Sequence, residues 1–149
     1  MLTLVLGGTR SGKSRYAERL AAGAAERWQT TVRYVATAQV DPGDESHQAR
    51  VAAHRARRPA SWVDVECGSP NDLAPLLATH EVALVDSMGS WLLRHQDFAA
   101  NLAALDRALR EREAPTVLVS EEVGWSVHPP TRVGRHYVDA LGHLNQHLA

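Results

Sequence analysis

Apolar positions fall in short continuous runs separated by longer stretches where they recur at helical spacing. The runs are Leu2-Thr3-Leu4-Val5-Leu6, Val32-Arg33-Tyr34-Val35-Ala36-Thr37, Ser61-Trp62-Val63-Asp64-Val65-Glu66, Glu81-Val82-Ala83-Leu84-Val85-Asp86 and Pro115-Thr116-Val117-Leu118-Val119-Ser120. Such runs, rich in aliphatic and β-branched residues, predict strands buried on both faces of a parallel sheet. Between the first two, Ser14 to Arg27 is rich in Ala, Glu, Arg and Leu, with Tyr16 and Leu20 a turn apart, which predicts an amphipathic helix. Asp41-Pro42-Gly43-Asp44 is turn chemistry. Glu45 to Arg57 reads as a polar helix that stops at Arg58-Pro59, because the residue before proline disfavours helix. Asp72 to Ala78 predicts a short helix. Phe98, Leu102, Leu105 and Leu109 put most of Ser87 to Arg112 in helix, broken near Asp97. After a loop at Pro129-Pro130, the spacing of Val133, Tyr137, Leu141, Leu144 and Leu148 predicts a last helix. Strands alternating with helices define an α/β fold, a mostly parallel sheet with helices on both faces.

The 149 residues suit a single domain with one core, and no shift in composition marks a second. Sixteen basic against seventeen acidic residues leave a net charge of -1, which argues against a nucleic-acid surface. Cys67 is the sole cysteine, so no internal disulfide forms and a reducing compartment is expected. No apolar run approaches membrane-spanning length, and the chain enters its first strand without room for a signal peptide. The expectation is a cytoplasmic protein without a membrane span.

The first strand leads into Gly7-Gly8-Thr9-Arg10-Ser11-Gly12-Lys13-Ser14, which meets G-x-x-x-x-G-K-[ST] at every specified position, with a strand before it and a helix after it. Gly7 and Gly12 permit backbone conformations that turn successive N–H groups inward around phosphate oxygens. Lys13 adds a mobile charge for the outer phosphates, Ser14 a hydroxyl for Mg²⁺, and the following helix its positive dipole end. This is a P-loop, and it predicts the P-loop NTPase (RecA-like) form of the α/β fold. Such a site needs a carboxylate at the end of a neighbouring strand, and Asp86 stands there; Glu121 and Glu122 are weaker candidates on the same edge. A second cluster, Arg50-Val51-Ala52-Ala53-His54-Arg55-Ala56-Arg57-Arg58-Pro59, sets four arginines around one histidine. Taken alone it is a solvated basic helix face. Opposite a P-loop it has a further use, gripping a triphosphate or its pyrophosphate leaving group. Nearby cations also favour the neutral imidazole, whose free lone pair permits nucleophilic attack by His54 on phosphorus.

With these residues in view the sequence resembles the bifunctional adenosylcobinamide kinase / adenosylcobinamide-phosphate guanylyltransferase family of cobalamin biosynthesis. The likeness rests on Gly7 to Ser14, on Tyr34-Val35-Ala36-Thr37-Ala38, and on Arg50 to Pro59 with Trp62 and Glu66. It extends through Val117-Leu118-Val119-Ser120-Glu121-Glu122-Val123-Gly124, Arg135-His136-Tyr137 and Asn145-Gln146. The resemblance implies a kinase that moves the γ-phosphoryl of ATP or GTP onto adenosylcobinamide. It also implies a transferase in which His54 takes GMP from GTP, expels pyrophosphate and passes GMP to adenosylcobinamide phosphate. By the same resemblance Lys13 is catalytic, and Gly7 to Ser14, Ala36, Thr37, Ala38, Arg55, Ala56, Arg57, Arg58, Glu66 and Asp86 contact the nucleotide. Ser14 and Asp86 serve Mg²⁺, and a ring-like homotrimer with sites between subunits is suggested. The sequence departs from the family's pattern with Arg55 where Lys is usual, Arg57 where Gly is usual, and Asp86 where Glu is frequent. Members also continue past Asn-Gln into an apolar strand that closes the sheet, which these residues do not include.

His136, His143 and His147 share one stripe of the last helix and read as polar surface; His47, His80, His95 and His128 read as surface or loop. Trp28, Trp62, Trp91 and Trp125 read as core or interface packing. Two rival functions stand beside the bifunctional one at this stage: a P-loop small-molecule kinase without the transferase step, and a nucleotide-binding module without turnover.

Overall fold

The computed structural model describes residues 1–39, 43–124 and 129–149, with the side chains of 45–47 and 50 also left aside. Asp41, Pro42, Trp125 and His128, and the side chains of His47 and Arg50, therefore lie outside the described residues. Among the described residues five strands form: β1 (Leu2–Gly7), β2 (Val32–Ala36), β3 (Val63–Glu66), β4 (Val82–Asp86) and β5 (Thr116–Glu121). The helices are α1 (Lys13–Trp28), α2 (Glu45–Ala56), α3 (Leu73–Leu77), α4 (Met88–Leu92), α5 (Leu102–Arg110) and α6 (Arg132–Leu148). All strand pairings are parallel, in the order β1-β5-β4-β2-β3. The expected strands and their direction are present.

Period-two alternation divides the core between the two faces of the sheet. Val82 and Leu84 of β4 and Val117 and Val119 of β5 pack with Ala17, Ala21, Ala24 and Ala25 of α1. Small residues on α1 let that helix lie close to the sheet. Ala83, Val85 and Leu118 face the other way, against Leu73 and Leu77 of α3, Met88 and Trp91 of α4, Leu105 of α5 and Leu141 and Leu144 of α6.

The stretch from Ser87 to Arg112 is mostly helical and is broken near Asp97, as its spacing predicts. It holds the five-residue α4, a 3-10 turn at Gln96–Phe98 and then α5. The break is wide because Asp97 and Phe98 both adopt positive φ, 50° and 55°, which no helix accommodates. Phe98 then packs edge-on against Tyr137 and His136 of α6, each at 5.4 Å, so tertiary contact secures the interruption. Among the tryptophans, Trp91 is core, Trp62 packs partly against the α1 face, and Trp28 is half exposed at the end of α1, where no core reaches it. His95 lies in the loop after α4. Its ring stacks edge-on upon Trp91 at 4.6 Å, and its Nε2 is buried with no partner among the described residues.

Candidate active site

Because every strand runs the same way, all five carboxyl ends meet at one edge, where a cavity of about 1490 Å³ opens. Its walls come from the loop after β1, the ends of β2, β3, β4 and β5, the last turn of α2 with the residues just after it, and the segment after β4. Thr9, Arg10, Ser11, Gly12, Lys13 and Ser14 line it together. Gly12 caps α1 with φ 86°, a left-handed value that a side chain would strain. No side chain caps that helix start and its first turn contains no acid, so the helix lacks the usual protein partner for its free N–H groups. Lys13 and Arg15 in the first turn oppose the helix dipole, an arrangement that suits an anion supplied from outside. Gly7 and Gly8 stand behind the wall. The Gly7 carbonyl accepts from the Glu122 amide at 3.1 Å, and that of Gly8 from Ser11 N at 3.3 Å and Lys13 Nζ at 3.4 Å.

His54 sits in the last turn of α2 and lines the same cavity as the P-loop. It is partly buried, and burial is the first cause that lowers its pKa below the ordinary 6.5. The Arg57 charge adds to this and Arg58 contributes less, while Asp86 and Glu18 pull the other way. The neutral imidazole is thus favoured, chiefly by desolvation rather than by the arginine ring alone. Arg55 pairs with Glu66 at 3.2 Å and Asp64 at 3.6 Å, Arg57 with Glu18 at 3.4 Å, and Arg58 with Asp64 at 3.0 Å. All three guanidiniums and Glu66 border the cavity, whereas Ala56 does not.

Asp86, at the end of β4, opens into the cavity beside Ser87. Its Oδ2 accepts a hydrogen bond from the buried Tyr34 hydroxyl at 2.6 Å. The Arg58 guanidinium lies 3.3 Å from the Tyr34 ring centroid, so Tyr34 links the end of α2 to the β4 carboxylate. Burial, then the Asp86 charge, pushes the Tyr34 phenol far above its ordinary range, so it remains a donor. Glu121 lines the cavity from β5, while Glu122 turns aside to accept from Gly124 N at 2.7 Å. Glu121 Oε2 accepts from Gly89 N at 3.0 Å, and its Oε1 lies 4.0 Å from Lys13 Nζ. A Cβ on Gly89 would fall 2.1 Å from that carboxylate, so a larger residue there would have to displace the Glu121 side chain. Asn145 of α6 fastens the same strand end, its Oδ1 accepting from Ser120 Oγ at 2.6 Å and its Nδ2 donating to the Glu121 carbonyl at 3.0 Å.

Ala36 and Ala38 line the cavity, but Thr37 between them is fully buried with its hydroxyl bonded to Ser87. Thr37 thus sits behind the wall that its two neighbours form. Arg94, Gly68 and Ser90 line the cavity without having been singled out in the sequence, and so does Cys67, which was noted there only as the sole cysteine. Arg94 follows a short apolar helix in no recognisable motif, so only the fold reveals it. On α6, His147 bonds Asp106 at 2.8 Å and His136 packs on Phe98. Among the described residues no three His, Cys, Asp or Glu side chains gather as a metal site, and no helix is long and apolar enough to cross a membrane.

A five-stranded parallel α/β sheet with a P-loop at its carboxyl edge defines a P-loop nucleotide-binding enzyme. The profile of the cobinamide kinase / cobinamide phosphate guanyltransferase family matches residues 3–149, and the chain belongs to that family. It is 42% identical over 159 residues to the bifunctional adenosylcobalamin biosynthesis protein CobP of Pseudomonas aeruginosa, covering 100% of this chain and 87% of that one. It is 36% identical over 170 residues to the bifunctional adenosylcobalamin biosynthesis protein CobU of Salmonella typhimurium, covering 100% of this chain and 90% of the relative. The CobU of Escherichia coli is 33% identical over the same span.

Proposed function

We propose that this chain phosphorylates adenosylcobinamide with ATP or GTP and then transfers GMP from GTP to adenosylcobinamide phosphate through a guanylylated His54. Family membership carries the reaction class. The observation that supports the assignment of residues is that His54, held neutral, and the anion-binding loop before α1 border one cavity. Gly12, Lys13 and Ser14 hold the phosphates, with Thr9, Arg10 and Ser11 completing the loop. Ala36 and Ala38 form the adjoining wall, and Arg55, Arg57 and Arg58 serve the leaving pyrophosphate. To do so they exchange Glu66, Asp64 and Glu18 for phosphate oxygens, a swap of one anion for another that spares them desolvation without a partner.

In guanylylation an imidazole nitrogen of His54 gives its lone pair to the α-phosphorus, while the α-phosphorus–oxygen bond to pyrophosphate breaks and its electrons leave with pyrophosphate. In the second half a phosphate oxygen of adenosylcobinamide phosphate attacks the same phosphorus, the N–P bond breaks and the imidazole is restored. Splitting the transfer this way lets one arginine cluster neutralise charge in both displacements. In the kinase step Lys13 stabilises charge on the γ-phosphoryl as it passes to the acceptor hydroxyl.

The Ser14 hydroxyl and the Asp86 carboxylate are hard oxygen donors on one cavity, the pair that Mg²⁺ takes when phosphate oxygens and waters complete its shell. When bound, Mg²⁺ supplies charge neutralisation on the phosphates. Tyr34 holds Asp86 for that role from behind. A cytoplasmic location and a homotrimer belong to the same reading, and sedimentation at the mass of one 16.3 kDa chain would reject the trimer.

The test supplies adenosylcobinamide, ATP and GTP and follows both products. The proposal expects adenosylcobinamide phosphate first, then its GMP adduct with equimolar pyrophosphate. Phosphorylation alone would reduce the chain to a small-molecule kinase, and neither product would leave a binding module.

A further inference from the structure

The segment after β4 holds Thr37 by every polar atom it has. At the start of the segment the Asp86 carbonyl accepts from Thr37 N at 3.2 Å. Ser87 N donates to Thr37 Oγ1 at 2.8 Å, and that hydroxyl donates back to the Ser87 carbonyl at 2.6 Å. Beyond α4, Arg94 Nη1 donates to the Thr37 carbonyl at 3.2 Å. The same guanidinium continues to the carbonyls of Cys67 and Gly68. One short helix and one arginine therefore tie together the carboxyl ends of β2, β3 and β4.

Burying a guanidinium is costly unless its donors are matched, and here the Nε is buried with no partner among the described residues while the two terminal nitrogens are directed at three carbonyls. Those carbonyls belong to the chain that forms the cavity wall. Ala36 and Ala38 face the cavity, and a planar peptide held at the Thr37 carbonyl fixes the orientation of Ala38. Bonds to both sides of the Asp86–Ser87 peptide fix where the Asp86 carboxylate begins. A single buried hydroxyl thus couples two walls of the site, and the arginine holds it there.

We infer that Arg94 is a positioning residue for nucleotide chemistry, acting through Thr37 on the Ala36–Ala38 wall and on Asp86. The inference rests on the function proposed above. It differs from direct phosphate binding, for which a lysine would substitute well, because a point charge lacks the planar fork that reaches carbonyls of two strands. It also differs from plain structural support, which would lower stability and leave the rate of each folded molecule alone.

The experiment measures the rate of His54 guanylylation by α-labelled GTP on the full chain, beside thermal melting and calorimetric titration with a non-hydrolysable GTP analogue. Arg94→Gln, Arg94→Lys and Thr37→Val should each slow adduct formation by about 10- to 100-fold, the scale of a small misplacement of reacting groups. Affinity for the analogue should fall by less than about 5-fold, because orientation weighs more in the transition state than in the ground state. Thr37→Ser, which keeps the hydroxyl, should label within about 3-fold of the wild type, and Arg94→Gln/Thr37→Val should be no slower than the worse single variant. Should the double variant not fold, the contrast between Arg94→Lys and Thr37→Ser decides. Wild-type rates in Arg94→Gln or Arg94→Lys, or losses that multiply in the double variant, overturn the inference. A wild-type chain that takes no label overturns the proposed function itself, and the inference with it.

Discussion

His54 can act as a nucleophile only while neutral, and its surroundings set the pH at which it stops. Burial and Arg57 lower its pKa below 6.5, and Asp86 and Glu18 oppose them. The kcat/KM for guanylylation follows protonation of the free enzyme, so its acid limb should lie below pH 6.5. Arg57→Gln removes a cation that disfavours imidazolium and should move the limb to higher pH. Glu18→Gln removes a carboxylate that favours imidazolium and should move it lower. The nucleotide titrates alike in all three proteins, so the displacement between their profiles belongs to His54. Identical profiles would show that these charges do not reach the imidazole. Stability carries the same sign: the unfolded chain takes up a proton near pH 6.5 that the folded chain refuses, so this residue's contribution is present above that value and lost as pH falls through the folded pKa. Another residue-scale prediction concerns Gly89, where a methyl group would sit 2.1 Å from the Glu121 carboxylate. Gly89→Ala should cost about 1–3 kcal/mol by urea denaturation, in the range of an overpacked interior site. An unchanged midpoint would mean that Glu121 swings away freely.

At the scale of elements, the turn before β4 depends on one arginine. Arg112, after α5, donates Nη2 to the Glu81 carbonyl at 2.7 Å, Nη1 to that of Thr79 at 3.1 Å and Nε to Thr116 Oγ1 at 2.8 Å, and Nη1 also reaches the Leu77 carbonyl. Several charge-assisted bonds lost at once should make Arg112→Ala about 2–4 kcal/mol less stable. The guanylylation rate per folded molecule should not change, because Arg112 lies at the opposite end of the sheet from the cavity. A slowed rate in folded Arg112→Ala would contradict that separation. Elements made by local pattern were open to reading: the strands, α1, the end of α2 before Pro59, and the P-loop between β1 and α1. The length of the helix after β4 was not, because positive φ at Asp97 and Phe98 depends on packing against α6 that no local window contains.

For the molecule as a whole, parallel strands bring the ends of β1 to β5 to one edge, so residues separated by most of the chain share a cavity. Lys13, His54, Asp86 and the arginines at and just after the end of α2 announce themselves by type and spacing, which is why the sequence placed them together. Thr37, just past β2, turns its hydroxyl to Ser87 behind the wall. Arg94 and Tyr34 act by reaching across strands, and such long-range bonds have no signature in composition or period. The two faces depend on each other through the central strands. Leu118, fully buried in β5 beneath α4 and α6, should cost about 2–5 kcal/mol as Leu118→Ala, measured by denaturant unfolding. A loss well under that range would mean the helical layer closes over the gap.

The most direct test of the central claim is to incubate the chain with GTP labelled at the α- or the γ-phosphate, without acceptor, and follow what stays on the protein. The account predicts label from the α-position only, labile in acid and stable in alkali as a phosphoramidate is, and absent from His54→Ala. Equal labelling of His54→Ala, or label arriving from the γ-position instead, would contradict it.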